Sequence, residues 1–197
     1  MGGLADYVSL PADIAVEVGR LQVALEPLTS DRVTTILGFT EADHGALYNS
    51  AAVFHKGSVI GIYRKLHPAI NRSVYTAGDS TPVFTIGGLT LGIVICRDSA
   101  FSEPARAMAS QGATVLFVPS NNGLPPEKGG AELVAEARNA DIALATDNNI
   151  FVVRADVAGR YKELVSHGSS GIVSPTGEVL RAARQLVPDL IVADIET

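Results

Sequence analysis

Cys96 is the residue whose type and position most directly suggest chemistry. It follows an apolar segment, residues 89–95, and precedes a polar turn that begins at Arg97. In open α/β sheets, ligand sites lie at the carboxyl ends of the strands. The charge of Arg97 and the amides of a nearby helix N-terminus favour the thiolate, which is the form that attacks carbonyl and nitrile carbons. Cys96 is therefore a candidate nucleophile, although a free cysteine is more often buried and inert.

Two basic residues upstream could assist such a nucleophile. Lys65 ends a predicted strand among apolar neighbours that could bury its stem. A desolvated lysine can lose its proton more easily or can stabilise an oxyanion, although most lysines at strand ends are simply solvated. His67 would allow a cysteine–histidine pair, but His44, His55 and His167 are equally available. Position alone therefore does not select a histidine.

The first predicted elements along the chain that would position these residues are a helix and three strands. Apolar residues at spacings of three and four predict an amphipathic helix over residues 13–25. A β-branched run predicts a strand over 33–39, and two apolar runs, 47–54 and 58–63, flank a turn and predict a hairpin. Glu41 lies in a polar stretch after the first strand, so we expect it to be a solvated turn residue.

The second half of the chain predicts a parallel crossover that contains the cysteine. Strands over 82–86 and 89–95 meet across a glycine turn, a helix over 102–112 begins with Ser102 as N-cap, and a strand over 114–118 follows. A strand, a helix and a strand joined this closely form a parallel crossover unit. The other predicted elements are a helix over 131–145, strands over 150–155 and 190–195, and a hairpin of 171–174 with 179–181. The fold class is therefore α/β with mixed sheets, in a single domain over residues 1–197.

Composition excludes several classes of function. A net charge of -6 disfavours binding to nucleic acid or to an anionic membrane surface, and no apolar run is long enough to cross a bilayer. One cysteine cannot form an internal disulfide, and no Cys/His cluster has the spacing of zinc ligands. We expect a cytoplasmic protein with a small-molecule partner and without a metal.

Two motifs, considered together, resemble those of one enzyme family. The stretch Gly92-Ile-Val-Ile-Cys96-Arg-Asp98 resembles the cysteine motif of the nitrilase superfamily of carbon–nitrogen hydrolases, and Tyr63-Arg-Lys65-Leu-His67 resembles its lysine motif. Two separate matches in the expected order are much more specific than either alone. Further segments that resemble the family are residues 47–51, 76–78, 117–120, 137–138, 147–148, 151–153, 168–170 and 175–177.

The resemblance implies both a fold and a reaction. The fold would be an α-β-β-α sandwich with mixed sheets, usually assembled as a homodimer or a higher homo-oligomer. The reaction would be hydrolysis of a non-peptide carbon–nitrogen bond through a thioester on Cys96, with Lys65 and the backbone amide of Arg97 stabilising the oxyanion. No metal or organic cofactor is needed. The substrate would be an amide, a ureido acid or a nitrile, with amides as the broadest class.

The sequence also departs from the family pattern. The family's base is a glutamate in a Phe-Pro-Glu segment, which these residues do not contain. We therefore expect that the natural protein begins upstream and that an N-terminal strand, helix and strand are missing here. Asn71 or Arg72 occupies the place of a second family glutamate, and an asparagine cannot act as a base. Arg97 replaces a common aromatic residue, which suggests a pocket for anionic substrates.

Asn121 begins an irregular stretch, residues 121–130, that follows a predicted strand and is expected to form the rim of the ligand pocket. Two other functions stay open. A catalytically impaired family member could serve as a subunit or as a ligand-binding scaffold. A flavodoxin-like binding protein would need a phosphate-cradling glycine loop, which Gly87-Gly88 does not supply because it lies in a hairpin turn.

Overall fold

The computed structural model describes residues 10–69 and 74–196, and the first of two large sheets in these residues contains four strands. The strands of this sheet, in the order β1-β2-β3-β4, are β1 (Val16–Glu17), β2 (Thr34–Asp43), β3 (Ala46–His55) and β4 (Ser58–Arg64). Strand β1 pairs in parallel with β2, and the other two pairings are antiparallel.

The second sheet contains six strands and carries the cysteine at one of its carboxyl ends. Its order is β12-β11-β8-β7-β6-β5, with parallel pairing of β6 with β7 and of β7 with β8. The strands are β5 (Val83–Ile86), β6 (Leu89–Ile93), β7 (Val115–Ser120), β8 (Phe151–Asp156), β11 (Gly171–Val173) and β12 (Val179–Ala182). A separate hairpin is formed by β9 (Gly159–Tyr161) and β10 (Leu164–Ser166).

In the part of the chain that the structure describes, three α-helices cover the outer faces of these sheets. They are α1 (Val18–Leu25), α2 (Ser102–Ser110) and α3 (Ala131–Asn148). Short 3₁₀ turns span Pro11–Ile14, Glu26–Leu28, Cys96–Ala100 and Pro126–Lys128. None of the described helices is long and apolar enough to cross a membrane.

Strand β3 shows how the layers are built. Its side chains alternate between two faces, as the period of a strand requires. Ala51 and Val53 point into the core between the two sheets, whereas Ala52 and Phe54 pack with Leu21 and Leu25 of α1. On the other side, a Cβ on Gly92 of β6 would lie 2.6 Å from the sulfur of Met108, so α2 lies directly against the second sheet. The result is the predicted α-β-β-α sandwich with mixed sheets.

The parallel crossover and the hairpins are confirmed, but several predicted elements differ. The helix predicted over 13–25 begins only at Val18, because Val16 and Glu17 pair with β2. Ser102 is not the N-cap of α2: Phe101 occupies that position without a side-chain cap, and the Ser102 hydroxyl accepts a hydrogen bond from Arg106.

The predictions for two other segments were also wrong. Residues 190–195 form no strand, and Leu190 is 85% exposed and Val192 67% exposed. An apolar run becomes a strand only where another strand offers its backbone groups, and none does so here within the described chain. The hairpin of β9 and β10 was not predicted.

The inter-sheet core predicts a clear difference between two valines. Val53 is fully buried and Val23 of α1 is 73% exposed. We expect Val53→Ala to lower the free energy of unfolding by about 2 kcal/mol, because two methyl groups leave a packed core. The control Val23→Ala should stay within about 0.5 kcal/mol of the parent protein. Denaturant unfolding followed by circular dichroism measures both values, and equal losses would contradict the assignment of this core.

Candidate active site

Cys96 lies on a strained turn at the carboxyl end of β6. The 3₁₀ turn Cys96–Ala100 begins at the cysteine itself. The φ angle of Cys96 is 48°, which is in the left-handed region that residues with a side chain rarely adopt. Its side chain is half-buried. The turn therefore lifts the thiol out of the strand direction and presents it at the edge of the sheet.

The carboxylate of Asp98 holds this turn in place. It is fully buried and accepts hydrogen bonds from the backbone N–H of Ile95 at 3.1 Å, the hydroxyl of Tyr63 at 2.7 Å and the backbone N–H of His67 at 2.8 Å. Burial, and then the negative charge of Asp98, raise the pKa of Tyr63 far above its usual value. The phenol consequently stays protonated and donates to the carboxylate.

Lys65 reaches the same turn from the other sheet. It directly follows β4 and is 3% exposed. Its Nζ donates to the carbonyl oxygen of Ile95, the residue before Cys96, at 2.5 Å. The backbone of Lys65 is fixed on both sides, since its N–H donates to Asn49 and its carbonyl accepts from Gly78. The structure thus brings together the lysine and the cysteine that the sequence singled out.

An asparagine that sequence reasoning missed contacts the thiol directly. The Sγ of Cys96 donates to the Oδ1 of Asn122 at 3.4 Å. The backbone N–H and the Nδ2 of Asn122 donate to the carboxylate of Asp156, which also accepts from the N–H and the hydroxyl of Ser169. Because the Nδ2 faces a carboxylate, the orientation of the amide is defined and its oxygen faces the cysteine.

A signal for this contact was present in the sequence. Asn122 follows the end of β7, and Asp156 ends β8. Strand β7 pairs in parallel with the cysteine strand β6, and β8 pairs in parallel with β7, so the carboxyl ends of all three strands meet at one edge of the sheet. The rule that selected Cys96 could have been applied to all three strand ends.

The other predicted site residues are Arg97, Asn121 and Asn71. Arg97 is exposed, next to Cys96. The Oδ1 of Asn121 accepts from the N–H of Gly123, and its buried Nδ2 has no hydrogen-bond acceptor within the described chain. Asn71 falls in the segment 70–73, outside the described residues.

His67 is not placed as a base for the cysteine. Its ring stacks on Phe101 with the ring centroids 3.8 Å apart, and the described contacts include no hydrogen bond from this ring to Cys96. Within the described chain, no group of three or more His, Cys, Asp or Glu residues converges in the way that metal ligands do.

Glu41 requires a correction. It was expected in a solvated turn, but β2 continues to Asp43 and the Glu41 side chain is fully buried. Its carboxylate accepts from the hydroxyl of Ser50 at 2.5 Å and from the guanidinium of Arg64. The hydrogen bond to Glu41 is the main cause that raises the pKa of Arg64, ahead of a smaller contribution from Asp43. The described hydrogen bonds of the Glu41 carboxylate therefore come from residues of the first sheet.

The chain is similar in sequence to known proteins of one family. The profile of the carbon–nitrogen hydrolase family matches residues 24–197. A nitrilase of Pyrococcus abyssi is 34% identical over 166 residues, which cover 83% of this chain and 60% of the relative. An (R)-stereoselective amidase of Pseudomonas sp. is 32% identical over 180 residues, which cover 89% of this chain and 63% of the relative. The chain thus spans less than two thirds of the length of either relative.

A solved structure supports the same fold. A variant of the amidase from Nesterenkonia sp. AN1, which shows the result of Michael addition of acrylamide at the active-site cysteine, superposes with a TM-score of 0.79 at 22% sequence identity. The superposition covers all of this chain and 75% of the amidase chain.

The buried carboxylate of Asp98 makes a stability prediction. In Asp98→Asn, the side-chain NH2 group would face one of the N–H or O–H groups that now donate to the carboxylate. We therefore expect the free energy of unfolding to fall by about 2 kcal/mol. Asp79→Asn, the same change at an exposed position, should have no measurable effect. Denaturant unfolding compares the two variants. A loss at Asp98 no larger than the loss at Asp79 would contradict the anchoring role.

Proposed function

The chain belongs to the carbon–nitrogen hydrolase family, and on this premise we propose that it hydrolyses small amides through a thioester on Cys96. The observation that carries the proposal is the convergence of two sheets on one turn. Lys65, at the end of β4, donates to the carbonyl of Ile95, and the thiol of Cys96 follows in the next residue. A buried ammonium group beside a nucleophile is suited to stabilise the negative charge that develops during acyl transfer.

The proposed chemistry has two halves. The sulfur of Cys96 attacks the amide carbon, and the oxygen of the tetrahedral intermediate is stabilised by the Lys65 ammonium and the backbone N–H of Arg97. The carbon–nitrogen bond breaks, the amine leaves with a proton, and an acyl thioester forms on Cys96. Water then attacks the thioester and releases the carboxylic acid and the thiol.

The thiol proton needs an acceptor, and the described carboxylates are poorly placed for this role. Glu41 is bound by Arg64, Asp98 accepts hydrogen bonds from the turn itself, and Asp156 contacts the thiol only through Asn122. The family scheme assigns the proton to the glutamate of a Phe-Pro-Glu segment, which is not among these residues. The placement of the described carboxylates is the observation behind a second candidate function, a catalytically impaired subunit or ligand-binding scaffold.

The proposal favours amides over nitriles. The family includes relatives named for either substrate, so its match alone does not choose between them. Amides are the broader class, and acrylamide addition at the active-site cysteine of the Nesterenkonia amidase supplies a probe for Cys96. We further propose a homodimer or higher homo-oligomer, as in the family pattern.

Trapping the acyl-enzyme tests the proposal. The protein is incubated with a panel of small aliphatic amides, quenched in acid and examined by intact mass spectrometry. We expect an added acyl mass on the parent protein and none on Cys96→Ala. If acrylamide modifies Cys96 but no amide leaves an acyl group and no acid is released, the hydrolase proposal fails and the scaffold function is favoured.

The exposed guanidinium of Arg97 predicts a preference among substrates. We expect Arg97→Ala to lower the ratio of kcat/KM for a half-amide of a dicarboxylic acid over kcat/KM for a neutral amide of equal length by about fivefold. This corresponds to about 1 kcal/mol, the upper range for a solvent-exposed ion pair. Arg106→Ala, an exposed arginine on α2, is the matched control and should leave the ratio unchanged. An unchanged ratio in Arg97→Ala would refute this role.

A further inference from the structure

A buried ion pair lies behind the cysteine turn, on the side of the sheet that faces α3. Arg154 of β8 is 3% exposed, and Asp141 of α3 is fully buried. The Nε of Arg154 donates to Asp141 at 2.8 Å and 3.1 Å, and the Nη2 donates at 2.6 Å. Neither residue belongs to the motifs that suggested the reaction, and neither takes part in the proposed chemical steps.

The same guanidinium is connected to the nucleophile through a serine. The Nη2 of Arg154 donates to the hydroxyl of Ser99 at 2.9 Å, and that hydroxyl donates to the carbonyl oxygen of Cys96 at 2.7 Å. The Arg154 guanidinium therefore polarises the hydrogen bond from the Ser99 hydroxyl to the carbonyl oxygen of Cys96, the residue with the left-handed backbone conformation. The Nη1 donates instead to the hydroxyl of Ser120 at the end of β7.

The charges act in a direction that suits a reactive thiol. Burial opposes the charged form of Arg154, but the hydrogen bonds and charge of Asp141 outweigh it, and the negative charges of Cys96 and Asp156 add to the same effect, so the pKa of Arg154 is raised. The guanidinium is therefore held in its charged form behind the cysteine turn, where it attracts negative charge.

Stability alone is a weak explanation for this arrangement. Replacing both partners of a buried ion pair with apolar residues of similar volume is often neutral or stabilising. We propose that Arg154, oriented by Asp141, is a positioning residue that stabilises the Cys96 thiolate and holds the cysteine turn through Ser99. The inference rests on the proposed function, in that it assigns Cys96 the role of nucleophile.

Other ionisable groups also act on the thiol and must stay constant in any test. Besides the buried pair itself, the ionisable groups around the cysteine turn are Tyr63, Lys65, His67, Arg97, Asp98, Arg138 and Asp156. The variants below change only the buried pair or one serine hydroxyl.

The test measures the thiol directly. Cys96 is the only cysteine of the chain, so the rate of alkylation by iodoacetamide as a function of pH reports its ionisation without ambiguity. In the double variant Arg154→Met with Asp141→Leu, which removes both charges of the pair and also the carboxylate that lies 3.8 Å from Arg138, we expect the midpoint of this profile to rise by about one pH unit. Circular dichroism and thermal unfolding establish that each variant is folded.

Two serines provide a matched comparison that does not remove a charge. Both hydroxyls are buried and accept from Arg154, but only the Ser99 hydroxyl also donates to Cys96. Ser99→Ala should raise the midpoint, by less than the double variant does, and Ser120→Ala should leave it unchanged. If the double variant does not fold, the two serine variants decide alone.

The outcomes separate this inference from the proposed function. An unchanged midpoint in a folded double variant, or equal shifts in Ser99→Ala and Ser120→Ala, would overturn the role of Arg154. Alkylation requires no amide turnover, so a shifted midpoint supports the inference even if no thioester forms. Thioester formation without a shifted midpoint would leave the hydrolase proposal standing and remove this one.

Discussion

The hydrogen bonds of Asp98 are the constraint on which the rest of the site depends. One buried carboxylate accepts from Tyr63 on the first sheet, from His67 just after it, and from Ile95 at the end of the cysteine strand. It therefore joins the two sheets at the point where their functional residues meet. The contact from Lys65 to the carbonyl of Ile95 exists only while this junction holds, because each residue is supplied by a different sheet.

Much of the fold could be predicted because its signals are local. The hairpin of β3 and β4 alternates with the period of a strand, and the helix between β6 and β7 required a parallel crossover. The wrong predictions concern contacts between residues that are distant in the sequence. The pairing of Val16 with Glu41, which shortens α1 and buries a glutamate expected in solvent, joins positions 25 residues apart. No local pattern around either residue contains that information.

The residues of the candidate site also fall into two groups, those indicated by local motifs and those found only from contacts in the folded structure. Cys96 and Lys65 were singled out by motifs, and in the structure Lys65 donates to Ile95, the residue before Cys96. The contacts of Asn122 with Asp156, and of Ser99 with Arg154, depend on which residues face each other across parallel strands and across the sheet and its helices. That register follows from the packing of the whole sandwich, so the sequence indicates the residues of the motifs more readily than the residues that contact and orient them.

The left-handed backbone conformation at Cys96 makes thermal stability and the proposed chemistry favour different residues at this position. Any residue with a side chain bears a cost of about 1 kcal/mol in this conformation, and only glycine escapes it. Glycine, however, has no sulfur. Replacing Cys96 with glycine would therefore relieve the backbone cost and at the same time remove the thiol that is proposed to react.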